Sequence, residues 1–140
     1  MVSQRLAFVV ATVALALGSC GGTKAPPELV GEWIVVAYGG ADEPAVPFWE
    51  PRAIIEFKSD GKLAGHTGCN RFDGGFKVEE GRVVFERVDI TLSGCPNEAM
   101  VVQEKVFYRI FEDSPVLAVE GERATLTAPG TSTVLVIRRR

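Results

Sequence analysis

The stretch "AIIEFKSDGKLAGHT" (Ala53–Thr67) decides the fold class. Ala53–Lys58 is rich in β-branched and aromatic residues. Ser59-Asp60-Gly61-Lys62 follows, and Lys62–Thr67 returns. Asp60 and Gly61 both tolerate positive φ, so the dipeptide closes a tight turn and makes its flanks antiparallel neighbours. The same grammar repeats outward. Phe76–Glu79 and Arg82–Val88 flank Glu80-Gly81, a second hairpin. Upstream, Glu32–Tyr38 ends at Gly39-Gly40. Downstream, Val116–Glu120, Ala124–Ala128 and Thr133–Arg138 are divided by Gly121-Glu122 and Pro129-Gly130. The reading is a mainly β chain: a small antiparallel, barrel-like meander of about eight strands.

One segment departs from this pattern. Pro96–Asp113, "PNEAMVVQEKVFYRIFED", has no glycine and its only proline at the front. At helical spacing Ala99, Met100, Val102, Val106, Phe107, Ile110 and Phe111 share one side. Val101, Glu104, Lys105, Tyr108 and Arg109 fall on the other. This predicts one amphipathic α-helix covering an open end or face of the sheet. Pro96 suits the first turn, Glu98 its positive end and Arg109 its negative end. Ser114-Pro115 stops it.

The N-terminus carries an address. Leu6–Leu17 is apolar and follows Arg5; it is too short for a permanent membrane span, and its flanks are those of a secretory leader. Leu17-Gly18-Ser19-Cys20 is similar to the bacterial lipoprotein box, which implies cleavage before Cys20 and acylation of that residue. The expected organisation is a leader over 1–19, a lipidated Cys20 with a flexible tether to residue 28, and one domain over 29–140. Gly21–Glu28 is glycine- and proline-rich, as a tether requires. Membrane contact through two or three acyl chains gives stable anchoring. The expected location is the bacterial cell envelope, at the outer membrane if the host has one, with the domain in the periplasm or outside.

Charge excludes one class of partner. The chain carries −3, which becomes −4 once Arg5 leaves with the leader, so nucleic acid is not an expected partner. Arg138–Arg140 reads as a solvated basic end.

With Cys20 assigned to lipid, Cys69 and Cys95 remain. Three chemistries are open to them. A catalytic thiolate needs a base, and the only histidine is His66, with no evident orienting acid. A metal site has His66, Cys69 and Cys95 available, with Asp73 as a fourth ligand. Export to an oxidising compartment and an even count favour a Cys69–Cys95 disulfide, and that is the expectation. No metal and no cofactor are expected.

The motifs together resemble META/HslJ-like domains. "LVGEWIV" (Leu29–Val35) resembles their Leu-x-Gly-x-Trp opening. "GHTGCNRFDGG" (Gly65–Gly75) resembles their Gly-x-x-Gly-Cys-Asn signature, and "TLSGCP" (Thr91–Pro96) their second cysteine element. Ser93-Gly94 stands where the family often has Met-Ala. The residues that carry the resemblance are Gly65, Gly68, Asn70, Arg71, Phe72, Gly74 and Thr91, read as architecture rather than chemistry. The resemblance implies a β-barrel with one helix, envelope residence, links to stress or antibiotic tolerance, and no known catalytic residue.

Function is therefore expected to be non-enzymatic: an anchored envelope protein engaging a protein or another envelope component. Phe48 and Trp49, in the proline-rich stretch 41–51, and Tyr108 and Arg109 on the helix are the candidate contact surface. The alternative is carriage of a small apolar ligand inside the barrel, by analogy of shape.

Overall fold

The computed structural model describes residues 25–48 and 50–140. The leader, Cys20 and Trp49 lie outside the described residues. Eight strands run β1 (Gly31–Gly40), β2 (Ile54–Phe57), β3 (Lys62–His66), β4 (Arg71–Glu79), β5 (Arg82–Ile90), β6 (Val116–Glu120), β7 (Arg123–Thr127) and β8 (Thr133–Arg139). One helix, α1 (Glu98–Glu112), lies between β5 and β6. Consecutive strands pair antiparallel, and β8 closes on β1 to complete a barrel. The anticipated fold class is the one observed.

Register explains the two ends of the barrel. Gly31 pairs with Phe57 and Trp33 with Arg139, so the 25–30 segment and the tight turns at 58–61, 80–81 and 121–122 share one end. The connections 41–53, 67–70 and 91–97 share the other. β5 meets β6 at a single register position, Arg82 with Val116. The chain inserts α1 between these two strands, and the helix packs on β8, β1 and β5.

The interior is filled by the protein's own side chains. Trp33, Ile55, Phe57, Leu63, Phe107 and Ile110 are essentially inaccessible to solvent. Phe57 and Phe76 meet edge to face at 4.9 Å between centroids. From α1, Phe111 meets Phe72 of β4 at 5.0 Å and Phe85 of β5 at 4.9 Å. Such pairs contribute about 1 kcal/mol each beyond their buried area. Helix and sheet thus share one core.

Four sequence expectations change. The Pro-rich tether ends earlier than read: Ala25 is buried, and Leu29 N–H bonds the Pro26 carbonyl at 2.9 Å. The strand read over Phe76–Glu79 starts earlier: β4 begins at Arg71, and its Gly74 faces two residues of β5, Arg87 and Val88, which form a bulge in that strand. The helix begins after Asn97, whose side-chain oxygen accepts from Met100 N at 2.9 Å, leaving Pro96 outside. The basic end is not merely solvated. Arg139 donates to the Val30 and Glu28 carbonyls at 2.8 and 2.6 Å and lies 4.4 Å above the Trp33 ring, while Arg140 pairs with Glu32. Among the described residues no helix is long and apolar enough to cross a membrane.

Candidate functional site

The polar chemistry of the molecule converges where loop 67–70, loop 91–97 and the first turns of α1 meet. Cys69 and Cys95 are joined there, with Cα atoms 5.4 Å apart across 26 residues. The expected disulfide is present. It pins the start of α1 to the β3–β4 connection, and by chain entropy it stabilises the fold by about 3 kcal/mol.

Beneath it sits a carboxylate assigned by sequence to the solvent side. Glu104 is only 9% exposed, and Gln103 beside it is fully buried. Glu104 Oε1 accepts from Thr67 Oγ1 at 2.9 Å and from Asn70 Nδ2 at 2.9 Å. Thr67 Oγ1 in turn accepts from the backbone N–H groups of Cys69 and Asn70 at 3.1 and 2.9 Å. Glu104 Oε2 lies 3.6 Å from Cys95 Sγ. A disulfide sulfur carries no proton, so this contact is packing and Oε2 receives no hydrogen bond from it.

Asn70 ties the two loops together. Its Nδ2 also donates to the Ser93 carbonyl at 3.0 Å, and its Oδ1 accepts from Ser93 N at 2.9 Å and from Thr91 Oγ1 at 3.0 Å. The side chain spans to β5's exit, because both its donor and acceptor find backbone partners there. Arg71 is exposed and uses its backbone N–H on Thr91 Oγ1 at 3.1 Å.

Gln103 performs the same task on the other flank. Its Nε2 donates to the Thr67 carbonyl at 2.6 Å, and its Oε1 accepts from Phe48 N at 3.3 Å. Gly68 makes this possible. It has φ +99°, and a β-carbon there would stand 2.3 Å from Gln103 Nε2. Gly65 serves packing: a β-carbon would stand 2.4 Å from the Phe72 ring tip and 2.2 Å from the Ile54 carbonyl. Gly74 stands opposite the Arg87-Val88 bulge of β5, where a β-carbon would lie 2.8 Å from the Arg87 carbonyl.

His66 lies apart from the sulfurs' chemistry. Its Nδ1 accepts from Gly68 N at 3.0 Å, which leaves the ring proton on Nε2. Partial burial, and secondarily the Arg71 cation, hold its pKa below the ordinary histidine value. Asp73 is exposed on the outer face of β4. The metal set read from sequence, with His66 and Asp73 joining the cysteines, is therefore not assembled. The group that joins Cys69 and Cys95 is Glu104, with all three ligand atoms within 4.8 Å of one another.

The candidate contact residues are separated. Phe48 is half-buried and fastened to Gln103. Tyr108 is half-buried on α1; burial first, then the Glu104 charge, raises its pKa. Arg109 is exposed and meets Asp113 at 3.4 Å. Val46 and Leu92, at 82% and 89% exposure, are the most exposed large apolar side chains among the described residues, and both sit in loops of the disulfide end. Depressions on the surface are open ones. One of about 520 Å³ lies on the outer face of β2–β4, between His66, Arg71, Glu56 and Asp73.

Comparison with known proteins completes this picture. The META domain profile matches residues 27–140. No curated protein matches the chain. Among solved structures, an NMR structure of a protein from Burkholderia xenovorans has a TM-score of 0.66 at 16% identity, over 94% of this chain and 99% of that one. A second NMR structure has a TM-score of 0.64 at 16% identity, over 79% of this chain and 89% of that one. The crystal structure of a DUF4847 family protein from Bacteroides vulgatus has a TM-score of 0.55 at 15% identity, over 81% and 95%. At these identities the likeness is one of fold.

Proposed function

The chain belongs to the META domain family, and on that premise we propose that it is a non-enzymatic, lipid-anchored envelope protein that acts by surface recognition of a protein or other envelope component, in stress response or antibiotic tolerance. The observation that carries this reading is the filled barrel. Phe57, Phe72, Phe76, Phe107, Phe111 and Ile110 occupy the interior from both sheet and helix. A carrier of apolar ligands needs that volume empty. Thr67, Asn70 and Gln103 at the disulfide end spend their side-chain donors and acceptors on neighbouring protein groups, which is what a rigid platform requires.

Topology supports an orientation. The chain enters the barrel at the end opposite the disulfide, and four residues separate Cys20 from Ala25. An anchor at Cys20 therefore presents the disulfide end, with Val46 and Leu92, away from the membrane. The Cys69–Cys95 bond fits residence in an oxidising compartment.

The test is capture from detergent-solubilised envelopes by the full chain and by a Val46→Ser/Leu92→Ser variant, alongside native mass spectrometry of the domain. Loss of a specific partner in the variant and a ligand-free mass support the reading. A stoichiometric co-purified apolar ligand would replace it with carriage.

A further inference from the structure

We propose that reduction of the Cys69–Cys95 bond converts the disulfide node into a three-ligand site for a thiophilic divalent metal, with Cys69, Cys95 and Glu104 as ligands and one open position. The geometry is already in place on the carboxylate side. A tetrahedral zinc ion with Zn–S of about 2.3 Å and Zn–O of about 2.1 Å has an S···O edge of about 3.6 Å. Cys95 Sγ and Glu104 Oε2 stand 3.6 Å apart. The S···S edge of such a site, about 3.8 Å, is also the contact distance of two unbonded sulfurs. Freed thiols held by Cα atoms 5.4 Å apart reach it by side-chain rotation.

The surroundings are those of a metal site rather than of a bare crosslink. Metal-bound carboxylates are held by second hydrogen bonds that fix which oxygen faces the ion. Glu104 Oε1 is held in this way by Thr67 Oγ1 and Asn70 Nδ2 at 2.9 Å each, which turns Oε2 toward the sulfurs. Asn70 Nδ2 packs 3.4 Å from Cys69 Sγ, its two hydrogens already used on Glu104 and the Ser93 carbonyl. Glu104 is nine-tenths buried, and the oxygen it aims at the disulfide gains nothing from a sulfur without a proton. A cation between them satisfies all three atoms.

The steps balance. A dithiol reductant passes two electrons and two protons to the bond and closes to its own disulfide, leaving two thiols. A divalent ion then replaces the two thiol protons, which leave to solvent, and takes Glu104 Oε2 as its third ligand. The oxidised chain has no thiolate and binds no such ion at this place.

The experiment titrates Co²⁺, and separately Zn²⁺, into the full chain after Cys20→Ser substitution. Phosphine-reduced and oxidised forms are compared under anaerobic conditions, with Glu104→Gln as the variant. Glutamine keeps an oxygen for Thr67 and Asn70 but replaces the ligand oxygen. The expected result for the reduced chain is one equivalent of Co²⁺ with a sulfur-to-cobalt charge-transfer band and a Zn²⁺-dependent rise in melting temperature. The oxidised chain shows neither, and Glu104→Gln weakens binding at least about tenfold. Absence of the band in the reduced chain overturns the proposal. So does equal binding by Glu104→Gln, which is also what a reduced chain that had unfolded would show.

Discussion

Thr67 Oγ1 donates to Glu104 Oε1 at 2.9 Å across 37 residues of chain, joining the β3–β4 connection to the middle of the helix. That hydroxyl also accepts from two backbone N–H groups, so Thr67→Val strands three partners at once. The expected cost is about 2–3 kcal/mol, since leaving buried polar groups unpaired costs more than the net value of their bonds. Glu104→Gln is expected to cost less, because an oxygen remains. The double variant is expected to show coupling of about 1 kcal/mol by urea unfolding. Strict additivity would mean that the pair is adjacent but not interacting.

Gly68→Ala is expected to destabilise by roughly 2 kcal/mol, combining a left-handed backbone with a clash. The clash is with Gln103 Nε2, the far end of a flexible side chain. Gln103→Ala alone removes the bond to the Thr67 carbonyl. Thermal melts of the two single variants and the double separate the effects. The double is expected to be less damaged than the sum, and a sum or worse would show that Gln103 is not what Gly68 accommodates.

Arg139 holds the N-terminal segment down through two carbonyls and the Trp33 face. Arg139→Ala is expected to cost about 1–2 kcal/mol and Arg139→Lys most of that, because a single ammonium does not reproduce the planar fork over an indole. Amide exchange of residues 29–30 is expected to rise before that of the sheet. Exchange unchanged in this segment would show that Leu29 burial alone retains it.

His66 sets a pH dependence. Burial lowers its folded pKa below the ordinary 6.5. Between the folded and unfolded values the unfolded chain binds the extra proton, so stability rises with pH there. The contribution is complete above about 6.5 and is lost as pH falls through the folded pKa. Urea midpoints from pH 8 to 5 are expected to fall for the wild type and to fall less for His66→Gln. Parallel curves would remove His66 from the account.

The strand order was legible because Asp60-Gly61, Glu80-Gly81 and Gly121-Glu122 punctuate apolar runs, and a meander needs only that. The cysteine pairing was legible from the even count left once Cys20 is set aside and from the leader-like N-terminus. The site was not. Gln103 and Glu104 are polar residues on an exposed-looking stretch of helix, and polar side chains default to solvent. Their signal was positional: Met100, Gln103, Glu104, Phe107, Ile110 and Phe111 form one continuous helical stripe, and all are buried. The role of Asn70 was not legible because its partners, Ser93 and Thr91, are distant in sequence and arrive only with the fold. The start of β4 at Arg71 was not legible, because Gly74 is required by the Arg87-Val88 bulge of β5 and that neighbour arrives only with the fold.

The central claim is that this is an anchored domain whose sulfurs are committed, Cys20 to lipid and Cys69 to Cys95. Intact-mass analysis of protein extracted from membranes and alkylated without reduction tests it most directly. The expected mass is that of the chain from Cys20 onward, bearing acyl groups, with no alkyl added until a reductant opens the disulfide. A chain that retains its leader, or that is alkylated at both Cys69 and Cys95 as isolated, would contradict it.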